Sequence, residues 1–279
     1  MIVDRFGAMG TQVEVHGTDH AALDEVQAWF ALVEACCSRF RPESELSRAN
    51  ARSGQAVEMS PLLAEIMAAA DDLRSRTGGL VDAGIGERLI AWGYDRTFAE
   101  VADRASIPAP GGGDGWEVDG PLLRLAEGTH LDLGGIAKGW ACDRAVEMGL
   151  ATMVSAGGDL RSSDPTLAVD VRGASGETLA EIAVGMGGLA TSSTARRRWT
   201  AGHRRVSHLI DPRTGAPVVS PVVGATVTAA TALEAEAGAK AVLLLGEEGL
   251  AWADRRPWIR SALVEWHDGS VFATAETAA

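Results

Sequence analysis

Apolar positions recur along this chain at two spacings, and the alternation between them predicts its elements. Leu23, Val26, Phe30, Val33 and Cys37 fall at helical spacing and predict an amphipathic helix over residues 21–37. Pro61–Arg76 reads as a second helix, capped by Ser60 with proline in its first turn. Ser44 can cap a short helix containing Ser47 and Arg48. Trp140, Ala141, Ala145, Val146 and Met148 share a broad apolar face that ends at Gly149, and Thr231 caps a long helix, Ala232–Leu245, closed by Gly246. A last helix is expected over 248–254. Strand patterns cover 11–16, 116–118, 122–125, 129–133, 153–154, 167–172, 179–184, 222–228, 258–266 and 270–274. Asp119-Gly120, Glu127-Gly128 and Asp268-Gly269 mark turns, and IPAPGGGDG over 107–115 reads as a surface loop. Helices and antiparallel strands mix without regular βαβ alternation, which predicts an α+β fold of largely antiparallel sheets with helices packed on them.

At 279 residues, with 46% hydrophobic and 23% charged side chains, the chain can bury a full core and is expected to form a single domain over 1–279. Its formal charge of −13 argues against a nucleic-acid partner, since phosphate neutralisation needs a basic surface. A protein this acidic must concentrate its cations to hold an anion, and Lys138 and the run Arg196-Arg197-Arg198 are where to look; a solvated loop is the plainer reading of that run. Three cysteines, Cys36, Cys37 and Cys142, make neither a disulfide framework nor a CxxC metal spacing. No apolar run is long enough to span a membrane and no leader pattern opens the chain, so a reduced, cytoplasmic protein without membrane insertion is expected.

The most chemically suggestive stretch is LDLGGIAKGWACDRA, residues 131–145. A short extended run stops at Gly134-Gly135 and a helix follows, an arrangement that aims backbone N–H groups at an anion. Lys138 stands in the first helical turn, against the dipole, which makes sense beside something anionic. Asp132 can accept hydrogen bonds from a base or sugar. A purely structural strand–helix turn explains the glycines equally well. Gly84-Ile85-Gly86 lacks the third glycine and the preceding strand of a dinucleotide fingerprint. Gly157-Gly158 permits a tight turn that Asp159 can hold together. His208 stands three residues before Asp211, whose Asp-Pro opens a turn closed by Gly215.

DLGGIAKGWACD, residues 132–143, resembles the central motif of the ApbE family, the FAD:protein FMN transferases. So do AMGT at 8–11, the stretch SRFRPESELSRAN at 38–50, GGLVDAGI at 78–85, the ATSS turn at 190–193 and HLIDPRTG at 208–215, in the family's order. The resemblance implies a T-fold-like α+β protein that binds FAD and moves FMN onto a threonine or serine of an acceptor flavoprotein, releasing AMP. It also leaves open an FAD-binding protein without transfer, or an FAD pyrophosphatase. It implies flavin contacts at Met9, Phe40, Asp82, Ala83 and Gly84 and cofactor contacts at Asp132, Gly134, Gly135, Lys138, His208 and Lys240. His208, oriented by Asp211, would be the base, and Lys138 would face the pyrophosphate. Relatives hold Mg²⁺ through a carbonyl at the position of Gly135 and through an Asp and a Thr one helical turn apart. Here Glu236 and Lys240 stand at those two positions, and a lysine is not a metal ligand unless deprotonated.

Overall fold

The structure is a computed structural model that describes residues 2–105 and 115–274; all but the last residue of the 107–115 loop lies outside them. The described residues divide into two compact units, each continuous in space but assembled from separated stretches of chain.

The first unit comprises residues 1–31, 138–195 and 219–279. Its sheet has eight strands whose spatial order is their order in the chain: Ile2–Ala8, Thr11–Gly17, Met153–Ala156, Asp159–Ser162, Gly187–Ser193, Val222–Ala229, Ile259–Trp266 and Val271–Ala273. Every neighbouring pair is antiparallel. The Ala232–Leu245 helix, begun by the Thr231 cap that the sequence predicts, lies on one face. Small residues allow that close approach: Ala190, Ala229 and Ala235 meet there, and a Cβ on Gly188 would come within 2.2 Å of Thr231. On the opposite face Met153, Leu160, Leu189 and Leu263 pack under the hairpin of Ala168–Arg172 and Thr178–Ala183 through Val171 and Ile182. The ATSS segment is therefore a central strand, not a turn. Buried on both faces, Gly187–Ser193 has no alternation to reveal it.

The second unit comprises residues 32–137 and 196–218. Its core gathers Leu89, Trp92, Tyr94, Trp199, Ala201, Val206 and Ile210. Around it stand the Glu45–Asn50, Pro61–Arg76 and Gly86–Trp92 helices and a three-stranded sheet of Ala56–Glu58, Leu122–Leu125 and Trp116–Asp119. The third strand expected over 129–133 does not form. Its backbone is held by other groups: Leu131 exchanges bonds with the Asn50 side chain, Asp132 N–H donates to Ala83 O, and His130 O accepts from Gly86 N–H. No described helix is long and apolar enough to cross a membrane.

Asp143 ties the first unit together. Its carboxylate accepts the Ala232 and Leu233 amides at 2.8 and 3.0 Å, capping the start of the long helix from the neighbouring Ala137–Glu147 helix. Burial pushes this carboxyl up to about 7, against those amides and Arg161, from an ordinary 3.8. The folded chain thus holds the proton more tightly than the unfolded one. The stability Asp143 contributes is fully present below about 3.8 and is lost as pH rises towards about 7. Asp143→Asn should flatten the stability profile over that window, and Asp143→Ala, which leaves the amides unpaired, should cost about 1–3 kcal/mol in urea denaturation.

Candidate active site

The residues singled out in the sequence fall into two groups, one in each unit. In the first unit they collect at one end of the sheet. Met9 and Gly10 form the two-residue turn between the first two strands, both at positive φ (51° and 69°), an uncommon conformation for methionine. Beside it lies the Gly157-Gly158 turn, so close to Thr11 that a Cβ on Gly157 would come within 2.8 Å of its hydroxyl. Asp159 follows immediately. It does not brace its own loop: its Oδ2 accepts Lys138 Nζ at 3.0 Å. On the long helix, Lys240 Nζ lies 3.4 Å from Glu236 Oε1, and Ser192 donates to Glu236 Oε2 at 3.4 Å.

This makes a balanced set of two ammonium and two carboxylate groups with side chains between 3% and 16% exposed. Burial raises the Glu236 pKa and the negative charge of Asp159 adds to the effect, while Lys240 and Lys138 oppose it. Lys138 and Lys240 are the chain's two lysines, the rest of its 25 Lys and Arg being arginine. A compact ammonium on a flexible stem thus occurs here alone, where a point charge suits a phosphate. The arrangement bears on the metal that the resemblance implies. The Glu236 carboxylate already faces the Lys240 ammonium, and an ammonium is not a metal ligand unless deprotonated. The residues present do not fit Mg²⁺.

In the second unit, Asp82 Oδ1 accepts Gly84 N–H and Trp116 Nε1 at 2.7 Å each, and the Ala83 carbonyl takes the Asp132 amide. The 82–86 and 130–132 segments are thereby fastened together. A Cβ on Gly86 would sit 2.6 Å from His130 O, so only glycine fits. Asp132 Oδ1 accepts from Gly134 N–H at 2.8 Å, and its other oxygen accepts Arg39 Nε. Much of its acceptor capacity, expected for a ligand, is spent inside the protein. Gly134 is exposed and Gly135 half-buried in the turn that leads into the helix carrying Lys138. Arg39 escaped the sequence reading. Its buried guanidinium lies 4.1 Å from the centroid of Phe40 and 4.7 Å from that of Tyr94, two rings themselves 5.5 Å apart. Its signal was the need of a half-buried Asp132 for a cation.

His208 is half-buried directly after the Arg204–Ser207 strand, its amide donating to Arg197 O at 3.3 Å. Asp211 receives Arg213 Nε and Nη2 at 2.9 and 2.8 Å and the Arg213 amide at 2.9 Å. Burial alone would raise its carboxyl; the Arg213 hydrogen bonds outweigh this and hold it below its ordinary value. Arg88 donates to Pro212 O and Trp92 Nε1 to Gly215 O, both at 2.9 Å, so this turn is anchored at both ends.

The sequence profile described as the ApbE family matches residues 9–263. The chain belongs to the ApbE family. It is 27% identical to the FAD:protein FMN transferase of Haemophilus influenzae, covering 86% of this chain and 79% of that one. It is 30% identical to the enzyme of that name from Rhodobacter capsulatus over 99% of this chain, which spans only 57% of that longer protein. The crystal structure of the ApbE protein of Thermotoga maritima superposes with a TM-score of 0.87 at 23% identity, covering 98% of this chain and 97% of that one. Flavin transferase ApbE of Vibrio cholerae gives 0.81 at 23%, covering 99% and 97%. These likenesses establish the ApbE fold, an α+β architecture.

The buried charges are a test of that site. Lys138→Ala strands Asp159 without its cation and should cost about 3–5 kcal/mol, whereas Lys138→Met with Asp159→Leu should recover most of it. A loss in the double variant equal to the sum of the losses in Lys138→Met and Asp159→Leu alone, measured by urea unfolding, would show that the pair is not coupled.

Proposed function

We propose that the chain is an FAD:protein FMN transferase, the observation that carries this being the ApbE match from residue 9 to 263, which runs through the sequence blocks of both units. The hydroxyl oxygen of an acceptor threonine or serine attacks the FMN-side phosphorus of FAD. The bond from that phosphorus to the bridging oxygen breaks, AMP leaves with that oxygen, and FMN remains as a phosphoester on the protein. We assign to His208 the hydroxyl proton, a task for which an imidazole's two ring nitrogens, one able to donate and one to accept, are suited. Asp211, engaged by Arg213, is assigned to forming the turn after His208. Met9, Phe40, Asp82, Ala83, Gly84, Asp132, Gly134 and Gly135 are assigned to cofactor recognition, with Arg39 holding Asp132 and the Phe40 ring in place. Three free, buried cysteines suit a reducing compartment such as the cytoplasm.

Phosphoryl transfer of this kind needs positioning and positive charge near the pyrophosphate more than covalent help from the protein. Lys138 and Lys240 are assigned that charge. Lys240 supports the assignment by turning back to Glu236 rather than reaching into solvent. No step is assigned to a metal ion.

Incubation with FAD and a library of threonine-containing proteins should release AMP and add an FMN mass to one acceptor. Release of AMP without an acceptor would identify a pyrophosphatase, and no release a binding protein. His208→Asn should slow transfer by about 10²-fold or more with FAD binding nearly unchanged, and equal turnover would remove His208 from the mechanism.

Metal dependence gives a second test. FAD binding by the wild-type chain should be insensitive to EDTA and weakened by Lys240→Ala. Glu236→Asp with Lys240→Thr should make it depend on Mg²⁺. Loss of FAD from the wild-type protein on chelation, with recovery on adding Mg²⁺, would overturn the assignment to Lys240.

A further inference from the structure

Of the arginine run noted in the sequence, Arg196 and Arg197 lie in a bend, as the loop reading expects, and Arg198 opens a two-stranded hairpin. Arg198–Ala201 pairs with Arg204–Ser207 in the register Arg198↔Ser207, Trp199↔Val206, Thr200↔Arg205 and Ala201↔Arg204. One face is core: Trp199, Ala201 and Val206 are buried, and Trp199 donates to Trp92 O at 2.8 Å and packs 6.0 Å from Tyr94. One edge is closed by Arg104, whose amide donates to Thr200 O and whose carbonyl accepts from Gly202, both at 2.8 Å. The neighbouring Asp103 carboxylate accepts the Thr200 amide.

The other face carries Arg198, Thr200 and Arg205, the two arginines being diagonal cross-strand neighbours, with Arg196, His203 and Arg204 exposed around them. Residues 196–205 hold five arginines and no acid, in a chain of net charge −13. Elsewhere arginines are commonly paired, as Arg5 is with Glu14, Arg74 with Asp71, Arg104 with Asp95 and Arg172 with Asp170. Among the described residues Arg196, Arg198, Arg204 and Arg205 have no ion-pair partner. Like charges crowded on a rigid ribbon repel one another, a cost that an anionic partner would relieve. The ribbon also runs straight into His208, whose amide is bonded to Arg197.

We propose that this hairpin face receives an acidic segment of the protein that accepts FMN, a reading that rests on the transferase assignment above. A partner bearing Asp and Glu near its acceptor hydroxyl would be repelled by the rest of this acidic chain and attracted here, which favours productive orientation of encounter. The overall charge disfavours nucleic acid as the occupant.

Fluorescence anisotropy of the FAD-loaded full chain with labelled peptides tests this. The probes are a threonine-containing peptide rich in aspartate and glutamate, a serine–glycine counterpart, and a single-stranded oligonucleotide. The acidic peptide should bind about tenfold or more tighter than the neutral one, an advantage that shrinks as ionic strength rises from about 0.01 to 0.15 M. Arg198→Glu with Arg205→Glu should abolish that advantage and leave the Kd for FAD unchanged, which also reports that the variant is folded. Equal binding of the neutral peptide, an unaffected variant, or tighter binding of the oligonucleotide would overturn the proposal. So would a matching loss of FAD affinity in a variant with an unaltered unfolding profile, since the arginines would then serve the cofactor. Failure of the transferase reading shows separately, as absence of AMP release and of FMN mass gain in the wild-type chain.

Discussion

Two lysines held against two carboxylates inside the first unit set the terms for the site. Lys138 stands on the Asp159 carboxylate and Lys240 on Glu236, all four side chains largely withdrawn from water. Removing such charges from solvent is costly, and mutual pairing offsets that only when the geometry is held by the surrounding fold. Here the fold supplies it. Asp159 is fixed at the start of a strand after a double-glycine turn, and Glu236 and Lys240 stand one turn apart on a helix packed against the sheet through small residues. A charge set assembled in this way is preorganised, and preorganised charge is what a transferring phosphoryl group requires. In this chain the positive charge on the long helix belongs to the Lys240 side chain, already paired with the Glu236 carboxylate.

The second unit solves a related problem with different chemistry. Asp132 is half-buried, and its partner is a guanidinium lying over Phe40 and Tyr94. Arginine suits that place because its planar group can pair with a carboxylate and lie on a ring together. The same aromatic cluster extends through Trp199 into the basic hairpin, so one core supports both the Phe40 region and the arginine face. Asp82 and Asp211, which attract attention in the sequence as chemistry, also serve local order: one accepts from Gly84 and Trp116, the other from Arg213 in its turn.

Much of the fold was legible where a local signal was strong. Ser44, Ser60 and Thr231 cap the helices expected of them, with Oγ or Oγ1 accepting the amide three residues on. The strand before the long helix and the two that follow it carry regular apolar patterns and were read within a residue or two. What failed had no local signal. The strand Gly187–Ser193 is small and polar because it is buried on both faces, and the segment 129–133 is extended yet bonds to a side chain and to loops, not to a strand. Gly86–Trp92 is a helix of seven residues, too short for periodicity to register. At the site the residue types were readable and their partners were not: Lys138 with Asp159, Lys240 with Glu236 and Arg39 with Asp132 are separated by 21, 4 and 93 positions, and only the helical pair follows from spacing.

The account stands on the claim that a tethered ammonium supplies the charge beside Glu236. Electron paramagnetic resonance of Mn²⁺ added to the FAD-saturated wild-type chain asks this directly, since Mn²⁺ favours the same oxygen ligands as Mg²⁺ and its free-ion signal disappears on binding. The account predicts a free Mn²⁺ signal equal to that of a matched FAD solution without protein. Stoichiometric loss of that signal, restored when excess Mg²⁺ competes, would contradict it.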